Sequence, residues 1–287
     1  MKFYVSTAFL DSAEIIEIAR AADDLGYEGV AIPDHVVNLE TLATPYPYTP
    51  DGQRRWQPFT DWLDPWVLVG AMAQVTQRLK FVTTVYIPAM RDPYSAAKAI
   101  GTAAVLSGGR VELGVGVGWC EEEFALLGQP FARRGRRTDE MLALMKALWQ
   151  PGWTEFEGEF YRTPRLEMTP TPPPIPVYAG GLSDVALRRA ARNDGWIGDL
   201  ISLDQAIASV QRIEQVRAEQ GLTMDGFTVI TPLVDAFTPE HYQRAEAGGI
   251  DAILTMPWVF YAGPNASTAD KIDGMRRFRA DLRLDTS

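Results

Sequence analysis

Short apolar runs and amphipathic stretches alternate along the whole chain. The first run, KFYVSTA (2–8), has the composition and length of a strand, and SAEIIEIARAADDLG (12–26) follows it. In that second stretch Ile15, Ile18, Ala19, Ala22 and Leu25 recur at helical spacing, with Ser12 as the expected N-cap and Gly26 as the stop. The same reading predicts strands at 29–35, 80–88, 110–118, 175–181, 195–200, 227–237 and 250–258. Helices are predicted at 65–77, 92–107, 138–150, 184–193, 202–221, 239–248 and 267–284. Pro65 stands at the first position of one helix, and Asp92 caps another ahead of Pro93. Eight strand–helix units in one run predict an α/β protein, a single-domain (β/α)8 TIM barrel over residues 1–287. Nearly continuous apolar strands suit a parallel sheet covered on both faces, and a doubly wound open sheet is the structural alternative.

Two stretches break the alternation. Residues 36–64, after the second strand, are rich in Pro, Tyr and Trp, and so long an irregular segment reads as a lid or binding loop. Tyr46, Tyr48, Trp56 and Trp62 are its candidate substrate-facing residues. Residues 151–174, between the fourth and fifth strands, read as a second insertion holding a hairpin in TEFEGEFY (154–161).

Composition narrows the chemistry. With 27 Lys and Arg against 37 Asp and Glu, the net charge of −10 repels nucleic acid and anionic membranes. A single cysteine, Cys120, and two histidines, His35 and His241, rule out an internal disulfide and a Cys- or His-rich metal site. Cys120 is assigned no role. The amino terminus carries one basic residue and its apolar run stops at Asp11, so no secretory signal is read there. No apolar run approaches the roughly 18 residues of a membrane span. The expectation is a soluble cytoplasmic protein.

The stretch GVGVGW (114–119) raises the question of a phosphate loop. The dinucleotide pattern G-x-G-x-x-G fails, because its last position falls on Trp119 or Glu121, and no P-loop Lys follows. On a strand, Val111, Leu113, Val115 and Val117 share one face while Glu112, Gly114, Gly116 and Gly118 share the other. Bare backbone there marks close approach by a ligand or by another part of the protein. Two readings meet here, tight packing inside the barrel or a flat ring near its mouth, and the favoured one is a strand cleared of side chains so that a flat ring can sit against its end.

IPDH places Asp34 and His35 at the C-terminal end of the second strand, the active-site end of a barrel. Histidine is an acid or base near neutral pH. In YAGGLSD, Gly180 and Gly181 free the backbone and Ser183 can cap the next helix, which suits either a phosphate or an ordinary turn. Arg136 and Arg137 of RRGRRTDE are expected to pair with nearby acids and anchor their helix. Glu121, Glu122 and Glu123 are expected in a first helical turn, where negative charge suits the dipole.

Together these motifs resemble the bacterial luciferase-like family of flavin and deazaflavin enzymes. The likeness spans nearly the whole chain and is most specific over residues 106–149, with support from PDHVV, YPYTPDG, PAMRDPYSAAK and PVYAGGLSDVALRRAARNDGWIG. The HVV…YPY…DG segment is similar to the subgroup described as probable coenzyme F420-dependent oxidoreductases. The resemblance implies a (β/α)8 barrel with a deazaflavin or flavin ring at its mouth, and a non-prolyl cis peptide at Thr84–Val85. It implies His35 in catalysis and Asp34, Val117, Gly118 and Trp119 around the ring. It further implies that Gly180, Gly181, Leu182 and Ser183 hold the cofactor phosphate, with Trp196 and Asp199 near the same tail. Some sugar-phosphate-oxidising relatives carry a Trp shortly after the His, where this chain has VVNL (36–39), so their substrate is not transferred.

The leading expectation is hydride transfer between coenzyme F420 and a small organic substrate. The alternatives are an FMN-dependent monooxygenase fed by a partner flavin reductase, a barrel that binds flavin without turnover, and a non-flavin sugar-phosphate barrel. Relatives often form homodimers, and the same is expected here.

Overall fold

The computed structural model describes residues 1–282. Eight parallel strands close into a barrel: β1 (Lys2–Ser6), β2 (Gly29–Ile32), β3 (Lys80–Thr83), β4 (Val111–Val115), β7 (Val177–Gly180), β8 (Gly195–Ile197), β9 (Thr228–Thr231) and β10 (Ala252–Thr255). They run in the order β1-β10-β9-β8-β7-β4-β3-β2, and the β10–β1 pairing completes the circle. A separate hairpin, β5 (Thr154–Glu157) and β6 (Arg162–Leu166), lies outside the barrel in the second insertion. The helices are α1 (Ile15–Asp24), α2 (Pro65–Ala73), α3 (Pro93–Leu106), α4 (Glu121–Leu126), α5 (Arg134–Leu148), α6 (Asp184–Ala190), α7 (Leu203–Glu219), α8 (Pro239–Ala247) and α9 (Thr268–Asp281).

Local chemistry starts most of these helices. The Asp64 carboxylate accepts from the Trp66 and Val67 amides ahead of α2, and Asp92 accepts from Ser95 ahead of α3. Ser183, Thr238 and Ser267 cap α6, α8 and α9, and Ser202 with Gln205 forms a reciprocal capping box on α7.

Side chains sort by strand alternation. Tyr4, Ala31, Val82, Tyr178, Ile197, Ile230 and Ala252 fill the barrel interior. Val111, Leu113 and Val115 of β4 face the helical shell instead. Glu112 therefore points inward, where Tyr4 Oη donates to it at 2.7 Å, Tyr178 Oη at 3.3 Å, and Lys80 lies 3.3 Å away.

Several boundaries differ from the sequence expectation. Ser12 does not cap α1: the helix begins at Ile15 behind Glu14, and the Ser12 amide donates to Asp61 instead. The strands expected to reach residues 35, 88, 118, 237 and 258 end at Ile32, Thr83, Val115, Thr231 and Thr255, because the chain leaves the regular ladder at the barrel mouth, a departure that composition does not mark. The second hairpin strand starts at Arg162, beyond the expected 154–161. Helix α5 starts at Arg134 rather than 138, since the polar first turn hides Arg137, which donates to the Pro130 and Ala89 carbonyls. Arg137 thus anchors its helix through backbone carbonyls and not through an acid, whereas Arg136 does pair with Glu159. The last two residues of the expected helix 267–284 lie outside the described residues.

A Cβ built on Gly114 would stand 1.9 Å from the Thr83 carbonyl oxygen and 2.4 Å from Ile197 Cδ1. Gly70, inside α2, has nothing within 4 Å. Gly114→Ala should therefore destabilise the fold by about 1–3 kcal/mol or more, while Gly70→Ala should stabilise it by about 0.5–1 kcal/mol. Urea unfolding of both variants checks this, and equal stability of Gly114→Ala and wild type would refute the packing argument.

Candidate active site

The site grows from the C-terminal ends of three neighbouring strands. Beyond β3 the chain bulges inward through Thr84 and Val85, and their peptide bond is cis, as the resemblance implied. The atoms of this bulge occupy the space that the glycines leave. A Cβ on Gly116 would stand 2.6 Å from Val85 Cγ2, and one on Gly180 would stand 2.8 Å from Val85 Cγ1. A Cβ on Gly118 would meet Phe124 at 2.6 Å and Ile87 at 2.9 Å. The packing reading of GVGVGW is thus the correct one: its bare face accommodates protein, not a ring laid directly against it. Val85 remains half-exposed between Gly116 and Gly180.

Asp34 and His35 leave β2 in different directions. The Asp34 side chain is fully buried, accepting from both Arg91 guanidinium nitrogens at 2.7 and 2.6 Å and from the Ile87 amide at 2.9 Å. Burial pushes its carboxyl up, and Arg91 and the Ile87 amide pull against this. Asp34 is therefore a strut between β2 and the segment after β3, without an exposed oxygen for a cofactor. The His35 ring turns toward the mouth, with Nδ1 at 3.2 Å from Glu123 Oε2. Glu123 also accepts from the Val36 amide at 2.7 Å and the Val37 amide at 3.3 Å, although it is only 2% exposed. Burial opposes the charge on Glu123, but His35 and the two amides hold its carboxyl below the ordinary range.

The 36–64 segment folds over this histidine. Trp56 and Trp62 lie 4.8 and 4.9 Å from the His35 ring, and Trp119 lies 6.2 Å away. Tyr46 packs edge-on against Trp56 at 5.4 Å and Trp119 at 5.1 Å, with Tyr48 behind it at 5.3 Å. Four of the expected residues, His35, Trp56, Trp62 and Tyr46, therefore meet Trp119 in one aromatic cluster. A cavity of about 10 Å³ beside His35, at the limit for a single water, is lined by Asn38, Leu39, Arg54, Trp56 and Glu123 among others.

Polar contacts fasten the lid at several points. Arg55 makes a bidentate pair with Asp199 at 2.7 and 3.0 Å and donates to the Tyr48 carbonyl. Glu122 accepts from the Ala43 and Thr44 amides at 2.6 and 2.9 Å. Arg54 donates to Asn38 and to the Leu39 carbonyl. At the far margin Asp61 accepts from the Ser12 amide, and Trp62 meets Phe9 at 6.1 Å.

The Gly180–Ser183 turn borders the site on the other side. Gly181 has φ 115°, a conformation open to glycine, and Ser183 Oγ accepts from the Ala186 amide as the cap of α6. Leu182 is exposed. Trp196 is 0% exposed and lies in the helix-facing layer, where its indole N–H donates to the Gly181 carbonyl at 2.9 Å. It supports the turn from behind, so the expectation of direct contact with a cofactor tail does not hold for its side chain.

A family profile described as "Luciferase-like monooxygenase" matches residues 4–277. The chain belongs to the bacterial luciferase-like family. An uncharacterised protein of Mycobacterium tuberculosis is 39% identical over 288 residues, covering 98% of this chain and 99% of that protein. An F420-dependent glucose-6-phosphate dehydrogenase of Gordonia bronchialis is 32% identical over 203 residues, which are 68% of this chain and 55% of that enzyme. An F420-dependent secondary alcohol dehydrogenase solved with an F420-acetone adduct superposes with a TM-score of 0.76 at 16% identity, over 99% of this chain and 100% of that one. The oxygenating constituent of 3,6-diketocamphane monooxygenase from Pseudomonas putida, solved with FMN, gives 0.62 at 17% identity, over 81% and 67%. Members of the luciferase-like family are oxidoreductases or monooxygenases.

Within this luciferase-like barrel, four residues that fasten the site escaped the sequence reading: Arg55, Arg91, Glu122 and Glu123. The glutamates do sit in the first turn of α4 as expected, but two of them also clamp the lid. Phe124, seated against Gly118 and Ile87, sets the roll of the helix. A glutamate directly before a core phenylalanine was the one available sign that it faces inward. Among the described residues no group of His, Cys, Asp or Glu could hold a metal ion, and no helix is long and apolar enough to cross a membrane.

The Glu122 clamp has a pH signature. The Thr44 amide is the largest cause that lowers its carboxyl from 4.5 to about 2. A depressed acid contributes stability that is present above 4.5 and lost as pH falls through about 2. The amide resonances of Ala43 and Thr44 should titrate together with a midpoint near 2, and a midpoint near 4.5 would show that no clamp exists.

Proposed function

We propose that this protein is an F420-dependent oxidoreductase acting on an uncharged organic substrate. The observation that carries the reading is His35: an imidazole at the mouth of the barrel, fixed through Nδ1 and enclosed by aromatic rings. Among relatives with a stated activity, those 32% and 35% identical are described as F420-dependent, whereas the FMN-bound neighbour is similar in fold alone.

The residues present suit a flat ring. Thr84 and Val85 would lie beneath it, with the Val85 side chain seated in the space that Gly116 and Gly180 leave. Val117, Gly118 and Trp119 would edge it, and the backbone of Gly180, Gly181, Leu182 and Ser183 would take the phosphate, with Asp199 nearby. When bound, the deazaflavin supplies a carbon, C5, that accepts or donates a hydride. His35 moves the balancing proton at Nε2, as acid or base according to direction. The Tyr46, Tyr48, Trp56 and Trp62 lid excludes water and receives an apolar substrate body.

Charge at the mouth supports a neutral substrate. The loops after β1, β8, β9 and β10 (7–14, 198–202, 232–238 and 256–266) contain no Lys or Arg. Barrels often bind a phosphate after their last two strands. Here those loops carry Asp235, Phe237, Val259 and Phe260. Arg55 of the lid is already paired with Asp199, and Arg54 with Asn38 and a carbonyl.

A second reading, an FMN-dependent monooxygenase supplied by a flavin reductase, is supported by the FMN-bound neighbour. Fluorescence or calorimetric titration with F420 and with FMN separates the two: F420 should bind, and tight FMN binding without F420 binding would overturn the first. His35→Ala should lower turnover at least about tenfold while sparing cofactor affinity, and unchanged turnover would remove His35 from proton transfer. Glucose 6-phosphate should give no turnover where neutral alcohols or carbonyl compounds do.

A further inference from the structure

Three nitrogens converge on the Glu123 carboxylate: His35 Nδ1 at 3.2 Å, the Val36 amide at 2.7 Å and the Val37 amide at 3.3 Å. The two amides approach Oε1 and the imidazole approaches Oε2. An ionised carboxylate only accepts hydrogen bonds. Neutral His35 satisfies it only with its proton on Nδ1, because the bond made by one ring nitrogen decides the state of the other. Nε2 then carries a lone pair, and it has no hydrogen-bond partner among the described residues. We infer that Glu123 is a positioning residue that sets the His35 tautomer and ties it to the seating of the lid, because one carboxylate holds the imidazole and the first two lid amides together.

The surroundings leave few competitors for this role. On the side of β2, Asp34 is occupied by Arg91 and the Ile87 amide. On α4, Glu122 faces Ala43 and Thr44, with the Cys120 thiol 3.7 Å from it. From the lid, Arg54 is bound to Asn38 and Leu39, while Trp56 and Trp62 present ring faces and edges to the imidazole. No other carboxylate reaches His35 Nδ1 within 4.0 Å among the described residues.

The chain carries its own control. His241, the second of two histidines, accepts a hydrogen bond at Nδ1 from the Phe237 amide at 3.2 Å, so its neutral form is protonated on Nε2. The two imidazoles are therefore expected in opposite tautomers. Glu123→Gln preserves size and an oxygen for the Val36 and Val37 amides, but its NH2 would donate to His35 Nδ1. The His35 proton would then move to Nε2, and the acceptor there would become a donor.

Two-bond 1H–15N correlation spectra of the full chain, recorded without cofactor and well above the ordinary imidazole pKa of about 6.5, read this directly. His241→Asn assigns the signals. Wild type should show His35 protonated on Nδ1, and Glu123→Gln should show it protonated on Nε2. A wild-type His35 protonated on Nε2 overturns the proposal, as does a folded Glu123→Gln protein with an unchanged pattern. If the glutamine variant fails to fold, the wild-type spectrum still decides. The consequence for turnover rests on the proposed proton transfer by His35. Glu123→Gln should lower kcat at least about tenfold, with KM little changed and Glu123→Asp recovering part of the loss. The spectrum is taken without cofactor, so failure of F420 to bind would sink the proposed function while leaving this assignment standing.

Discussion

A single buried carboxylate holds the working end of this barrel together. Glu123 is almost completely excluded from solvent, and a charge in that position is tolerable only when its partners are present. Those partners belong to two different structures: the imidazole at the end of β2 and the first amides of the lid. Removing either would leave a buried acceptor unsatisfied, a loss of about 1–3 kcal/mol or more for a charged group. Placement of the histidine and closure of the loop above it are therefore one energetic event.

The carboxylate can stand there because of packing further down. Phe124 sits where any side chain at Gly118 would be, and this seats α4 against Ile87, Ala89 and Met90. Gly114 and Gly116 likewise yield their space to Thr83, Val85 and Ile87. The glycine run serves the site indirectly. It lets the chain after β3 bulge inward and α4 roll onto the barrel end, and the side chains so placed are those of the candidate site.

The barrel was legible because alternation of apolar runs with helical faces is a local property, repeated along the chain. So were the aromatic lid and His35, since an irregular, ring-rich segment after a barrel strand has few other uses. Pairings across long stretches of chain were not legible. Glu123 lies 88 residues from His35, and Asp34 lies 57 from Arg91. In sequence Glu123 looks like any acid in a first helical turn, and only its place directly before Phe124 sets it apart from Glu121. Trp196 was expected near the cofactor tail through the resemblance alone; as the middle residue of β8 it alternates with the inward Ile197 and so faces the helices. The glycine stretch reads in sequence as clearance for a ring, and protein fills it instead, because bare backbone looks the same whether a ligand or a neighbouring strand takes the space.

The lid is fastened along its whole length, not only at its ends. Val36 and Val37 are held by Glu123, Ala43 and Thr44 by Glu122, Arg55 by Asp199, and Asp61 by the Ser12 amide. A loop attached in this way is a strap and not a door. Lifting it in one piece would break all of these contacts together, whereas releasing neighbouring fastenings in turn breaks only one or two at a time. Such a strap yields span by span, and the stretch next to the histidine is the one held by a buried acid.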